Sequence, residues 1–322
     1  MFRIWTERAI PVAILPMFKE VTPLGPAAAT PEDPLSALAD AQGAIAGGTT
    51  RYDAAFMDRA PCLRVIARTG IGIDNVDVPA ATTRSVAVCN TPDGPTISTA
   101  EHTITLMMNV AKQVKRYDRA LRESENRDLV SIYQGIELHG LHLGLVGLGR
   151  IGRRVAGIAQ ALGMSVTAYD PFVDPDQIKA LGVEPATSFK AVLETSDVVS
   201  LHIPLTDDTR HLMNADRFGQ MKQGAILLNI ARGGLVDEKA LLSTLESGHL
   251  DGAGIDVFDP EPPPDDHPLL HRDDVIATPH IGGITIAGRK RMWQMAVTEV
   301  LRVLRGERPE HVANPEALGL ET

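Results

Sequence analysis

A chain of 322 residues is long enough for two domains of ordinary size, each with its own core. With 41 acidic against 31 basic residues and a formal charge of -10, it offers no electrostatic footprint for nucleic acid or an anionic membrane surface. Two cysteines, Cys62 and Cys89, are too few and too isolated for a disulfide framework or a CxxC metal site, so inert buried thiols and no metal are expected. The N-terminus lacks a basic region followed by a long apolar core, and no stretch approaches about 20 apolar residues, so a cytoplasmic protein without a membrane span is expected.

In chain order, residues 2–5 suit a first strand, the Pro- and Ala-rich residues 23–34 a loop, and residues 35–41 a short helix. Apolar runs at 43–46, 63–67 and 86–89, separated by helix-like or turn segments, predict a small parallel α/β unit. RTGIGIDNVD at 68–77 follows the second of these runs. Its Gly70 and Gly72 either expose backbone N–H groups as a nest for an anion or simply make a turn. Arg51 and Arg68 nearby could meet a phosphate or a surface carboxylate.

Residues 98–101, STAE, have the spacing of a capping box, and Ile104, Met107, Met108, Ala111 and Val114 then make one helical face, read as a helix crossing between domains. Its methionines are expected as core filler. Residues 116–140 are polar and less regular, suiting an arm or a subunit contact.

The most informative stretch is 143–170. Leu143, Leu145 and Val146 form a short apolar strand, and Gly147, Gly149 and Gly152 follow at GxGxxG spacing, which allows a tight turn and close approach to a pyrophosphate. Ile151, Val155, Ile158, Ala159 and Leu162 lie on one helical face, closed by Gly163. A second strand at 166–169 ends at Asp170, whose carboxylate can accept both ribose hydroxyls. That favours NAD over NADP, whose 2′-phosphate it would repel. Thereafter a helix at 188–194, strands at 198–203 and 225–230, a helix at 238–246 closed by Gly248, strands at 252–258 and 275–278, and a helix at 286–305 continue the alternation. The last helix is expected to return the chain to the first domain. Arg232, Asp256, Glu261 and His280 fall at or just past strand ends, which in a parallel sheet converge on one crevice. His202, also at a strand end, is a second candidate proton carrier.

These motifs occur together and in order: RTGIGIDNVD at 68–77, NTP and TAEH within 90–102, VGLGRIG at 146–152, LLNIARGGLVDEKAL at 227–241, GIDVFDPEPP at 254–263 and TPHIGG at 278–283. From about residue 40 onward the chain resembles the D-isomer-specific 2-hydroxyacid dehydrogenase family, most nearly its phosphoglycerate dehydrogenase and hydroxypyruvate reductase branches. The resemblance implies two doubly wound parallel-sheet α/β domains. The substrate-binding one, flavodoxin-like, would take residues 1–98 and 287–322, and the NAD-binding Rossmann domain residues 99–286. It implies catalysis by Arg232, Glu261 and His280. Cofactor contacts would come from Ile71, Gly147, Gly149, Arg150, Ile151, Gly152, Asp170, Ile203, Ile230, Asp256, His280, Gly282 and Gly283, and substrate contacts from Thr69, Gly70, Ile71 and Arg232. It also implies a homodimer and a short form without a C-terminal regulatory domain. Pro95 and Leu141 depart from the common Asn and Lys of relatives, a difference that bears on the hinge and the subfamily.

The implied chemistry suits the residue types. A planar guanidinium at Arg232 can grip a carboxylate with two parallel bonds. The His280 imidazole titrates near working pH and can pass a proton, while Glu261 would orient its tautomer and favour imidazolium. Formate dehydrogenases of the same fold pair the histidine with Gln, so Glu261 argues for a hydroxy acid. The competing expectation is an NAD-sensing, corepressor-like module whose output is protein association.

Overall fold

The computed structural model describes residues 1–25, 35–123 and 128–320, and the chain divides into two compact units. Unit 1 comprises Met1–Thr96 and Gly283–Thr322, and unit 2 comprises Ile97–Gly282.

Unit 1 is built on five parallel strands: β1 (Phe2–Thr6), β2 (Val21–Leu24), β3 (Gly43–Ala46), β4 (Val65–Arg68) and β5 (Ala87–Cys89), in the order β2-β1-β3-β4-β5. Helices α1 (Ala54–Asp58) and α2 (Val78–Thr83) connect strands. Alternate strand residues feed two cores. Ile4, Ile45 and Val65 pack with Trp293, Val297, Val300 and Leu304, while Trp5, Ala44, Ile66 and Val88 pack with Tyr52, Phe56 and Met57. Each large aliphatic side chain so buried stabilises the fold by about 1.5–3 kcal/mol.

Unit 2 carries seven parallel strands: β6 (His142–Val146), β7 (Ser165–Tyr169), β8 (Glu184–Pro185), β9 (Val198–Leu201), β10 (Ala225–Asn229), β11 (Leu250–Ile255) and β12 (Val275–Ala277), in the order β12-β11-β10-β9-β6-β7-β8. Helices α3 (Thr96–Ala111) and α5 (Arg150–Ala161) cover one face, meeting Leu143, Leu145, Ile226 and Leu228. Helices α7 (Phe189–Thr195) and α9 (Glu238–Glu246) cover the other, meeting Val146, Val199, Leu201 and Leu227. Burial on both faces is why these strands read as unbroken apolar runs. α4 (Val114–Glu123), α6 (Pro175–Lys179) and α8 (Ala215–Phe218) complete unit 2, and α10 (Ile286–Arg305) belongs to unit 1.

Several expectations are corrected. The loop expected at 23–34 begins inside β2, where Pro23 sits opposite Ile4. An edge strand tolerates a missing N–H, so the proline does not break it. The rest of that loop, 26–34, lies outside the described residues. The helix expected at 35–41 is a 3-10 turn, Ser36–Asp40. The capping box at 98–101 is not a cap, because α3 already starts at Thr96, whose hydroxyl donates to the Pro92 carbonyl (2.9 Å), and Ser98 and Thr99 are buried within it. The irregular stretch expected from 116 instead continues as α4 through Glu123, with residues 124–127 outside the described set. Cys62 is exposed rather than buried. Cys89 is buried, and burial with Glu299 nearby pushes its thiol up to about 12, leaving it inert. Among the described residues no cluster could hold a metal ion, and no helix is long and apolar enough to cross a membrane.

Candidate active site

The first half of the site is the turn between β6 and α5. Gly147 has φ +95°, and a β-carbon there would lie 2.6 Å from the His202 carbonyl and 2.9 Å from the Ile203 side chain. Gly152, in the first turn of α5, would place a β-carbon 2.5 Å from the Gly147 carbonyl. Both must therefore be glycine. Gly149 caps the helix and differs, since a β-carbon there meets nothing and would only fill the open space before the helix N-terminus. The N–H groups of a helix's first turn, with the helix dipole, suit an anion in this space. Arg150 is exposed beside it and Ile151 partly buried. The turn is tied to β7 because Leu148 N donates to Asp170 Oδ2 (2.8 Å), while Phe172 N donates to Oδ1 (3.0 Å). Each oxygen keeps a further lone pair for a ribose hydroxyl. A dinucleotide fits this cradle.

The second half comes from the carboxyl ends of three neighbouring strands, β10, β11 and β12. Past β12, His280 adopts φ +53°, a left-handed conformation uncommon for a non-glycine residue. Asp256, buried just past β11, holds it there: the His280 amide donates to the Asp256 carbonyl (2.7 Å), the Ile281 amide to Oδ1 (2.9 Å) and the Gly282 amide to Oδ2 (2.8 Å). The Thr278 hydroxyl donates to Oδ1 (2.6 Å), and His102 Nε2 lies 2.9 Å from that hydroxyl and 3.4 Å from Oδ1. Burial alone would push the Asp256 carboxyl up, but the bonds from His102, Thr278, Ile281 and Gly282 outweigh it and hold it below its ordinary value. The His280 ring then meets Glu261, with Nδ1 2.8 Å from Oε2, while Glu261 Oε1 accepts the Phe258 amide (3.0 Å).

Arg232 lies past β10, with its guanidinium donating to the Ala231 carbonyl (2.7 Å). Asn229 clasps this bend, donating to the Arg232 carbonyl (2.9 Å) and accepting from the Ala231 amide (3.2 Å). A β-carbon on Gly233 would collide with the Phe258 carbonyl, so the Arg232 loop lies directly against the segment that leads to Glu261.

Other expected positions separate into two groups. Ile203 touches the Gly147 turn, and Ile230 would stand 3.3 Å from a β-carbon on Gly282. Thr69, Gly70 and Ile71 belong to unit 1, as does Gly283. The anion nest at Gly70 is corrected: its N–H already donates to the Arg68 carbonyl (2.9 Å), and neither Gly70 nor Gly72 is left-handed. Thr69 Oγ1 donates to Ala46 O (2.9 Å), Ile71 is half-exposed, and its carbonyl accepts from Asn90 (2.7 Å). His202, the second candidate proton carrier, is set aside, because burial pushes its pKa down to about 4 and its Nε2 pairs with the Ser200 hydroxyl (2.9 Å). His102 and Thr278 were not singled out from sequence, although both stand within the TAEH and TPHIGG motifs.

Residues 104–282 match the family model described as D-isomer specific 2-hydroxyacid dehydrogenase, NAD binding domain. The D-3-phosphoglycerate dehydrogenase of Methanocaldococcus jannaschii is 40% identical over 286 residues, covering 88% of this chain and 54% of that protein. The chain thus spans about half the length of that relative. The glyoxylate reductase of Korarchaeum cryptofilum is 40% identical over 272 residues, covering 84% of this chain and 82% of that protein. Among solved structures, D-lactate dehydrogenase from Aquifex aeolicus, complexed with NAD and lactic acid, superposes with TM-score 0.80 at 27% identity, covering 97% of this chain and 98% of that one. With a dinucleotide cradle and a histidine–carboxylate pair on one sheet edge and these similarities along nearly its whole length, the chain belongs to the D-isomer specific 2-hydroxyacid dehydrogenase family, and residues 104–282 carry its NAD binding domain.

Proposed function

We propose that the protein is an NAD-dependent oxidoreductase that interconverts a D-2-hydroxy acid and its 2-keto acid, with 3-phosphoglycerate or glycerate and hydroxypyruvate as the favoured substrates. The observation that carries this reading is the 2.8 Å contact between His280 Nδ1 and Glu261 Oε2, at the carboxyl edge of the same sheet that holds the Gly147–Gly152 turn. The curated relatives named above support the substrate class.

In this reading Gly147, Gly149, Arg150, Ile151 and Gly152 cradle the pyrophosphate and Asp170 takes the ribose. Ile203, Ile230, Asp256 and Gly282 line the remainder. NADH, when bound, supplies the hydride for the keto carbon. Arg232 grips the substrate carboxylate as a planar fork, which orients the keto oxygen. Glu261 fixes Nδ1 of His280, which leaves Nε2 as the nitrogen that delivers a proton to the developing alkoxide in reduction and takes it back in oxidation. Glu261 is kept in place as an acceptor by the Phe258 amide.

The same reading makes the protein a homodimer. α4 buries none of its residues, and Val114, Leu121, Val130, Ile132 and Tyr133 are exposed there and just beyond it. Light scattering should give the mass of two chains.

The decisive experiment is steady-state turnover of hydroxypyruvate, glyoxylate and pyruvate with NADH and NADPH, and of 3-phosphoglycerate with NAD. Preferred use of NADH, with the best kcat/KM on hydroxypyruvate or 3-phosphoglycerate, is expected. Absence of turnover on every acid while NADH binds would overturn the enzymatic reading in favour of a protein-association module.

A further inference from the structure

Behind the His280–Glu261 pair stands a second histidine–carboxylate pair. Glu238, in the first turn of α9, reaches His267 (Oε2 to Nε2 2.9 Å), and both side chains are largely buried. The second Glu238 oxygen accepts the Asp259 amide (3.0 Å), the peptide group immediately after the Phe258 amide that holds Glu261. The His267 ring closes on the Phe258 ring edge to face, with centroids 5.6 Å apart. His267 Nδ1 is buried and finds no hydrogen-bond partner among the described residues, which places the shared proton on Nε2, facing Glu238. Arg210 adds an outer tie to the Asp259 carboxylate (3.0 Å).

The geometry points to Glu238 and His267 as a positioning pair for the reaction. Through the Phe258–Asp259 segment they set the carboxylate of Glu261, and through the Gly233 contact with the Phe258 carbonyl they fix the loop that presents Arg232. Successive amides of one short segment are held by two carboxylates, one paired with the ring of His280 and the other with the ring of His267. Burial raises the Glu238 carboxyl above its ordinary value, so the bonds from Asp259 and His267 are what keep an acceptor there. Neither residue touches the reacting atoms, and the inference rests on the proposed roles of Arg232, Glu261 and His280.

Glu238→Ala should lower kcat by at least ~10-fold, the scale expected when a proton-transfer geometry slackens, with NADH affinity nearly unchanged. Glu238→Gln keeps a carbonyl for the Asp259 amide and should recover most of the loss. In a Glu261→Gln background, Glu238→Ala should cost less than ~3-fold more, because residues acting through one another are not additive. Equal losses in both backgrounds, or wild-type kcat in Glu238→Ala, would overturn the proposal. If Glu238→Ala does not fold, His267→Asn takes its place. The ring nitrogen resonances of His280, read in 15N-labelled protein, supply a test that needs no turnover. They should shift in Glu238→Ala, and an unmoved His280 signal rejects the pair even in a protein that reduces no 2-keto acid.

Discussion

At the residue scale the site is a problem in holding one imidazole still. His280 sits in a left-handed backbone conformation that costs energy for any side chain with a β-carbon, and three backbone bonds to Asp256 oppose that cost. Asp256 therefore serves first as the brace of the 278–282 segment, with Thr278 and His102 completing the shell around its carboxylate. Glu261 then sets the ring. His280→Ala should lower kcat by at least ~10²-fold, the usual scale for losing a positioned general acid, while NADH affinity stays within ~3-fold. Stopped-flow turnover beside fluorescence titration of NADH separates the two quantities, and an undiminished kcat would remove His280 from the proposed role.

At the scale of elements, the parallel order places the carboxyl ends of β10, β11 and β12 side by side, so three loops far apart in sequence share one edge. The glycines in those loops record close approach rather than flexibility. Gly233 is the sharpest example, because any side chain there meets the backbone of Phe258 and Asp259. Gly233→Ala should displace the Arg232 loop and lower kcat/KM for the keto acid by ~10²-fold, the cost of a misplacement near 1 Å. NADH affinity should change little, since the cradle lies past β6, two strands away from β10 in the sheet. Wild-type kcat/KM in the alanine variant would show that the contact has no bearing on the site.

At the scale of the whole molecule, one part of the acid stability traces to an imidazole that the fold desolvates. His202 has an ordinary pKa of 6.5 and is pushed to about 4 by burial. Between those values the unfolded chain binds a proton that the folded chain refuses, so stability falls as the pH drops through this window. The contribution lost between pH 7 and pH 5 is about 2 kcal/mol. His142, lowered by burial as well, acts in the same direction. His202→Gln should flatten the pH dependence of the urea midpoint by that amount, whatever its effect at pH 7. Identical slopes for variant and wild type would show that the ring is not desolvated.

What the sequence determined by itself is local and periodic. The apolar runs of β3, β6, β9 and β10, the amphipathic α5, the bounds of α9 and α10, and the glycine turn were legible because each depends on neighbours a few residues away. The ordered motifs likewise named the family and the three candidate catalytic side chains. Tertiary structure decided the rest. Pro23 survives in β2 only because that strand is at an edge, and α3 starts at Thr96, whose hydroxyl bonds back to the Pro92 carbonyl, rather than at the capping pattern. The 2.8 Å His280–Glu261 contact, the brace at Asp256 and the buried Glu238–His267 pair join residues that sequence spacing does not connect. Such contacts follow from strand order and loop packing, and hydrogen-bond partners brought together across a sheet edge leave no periodic trace in the chain.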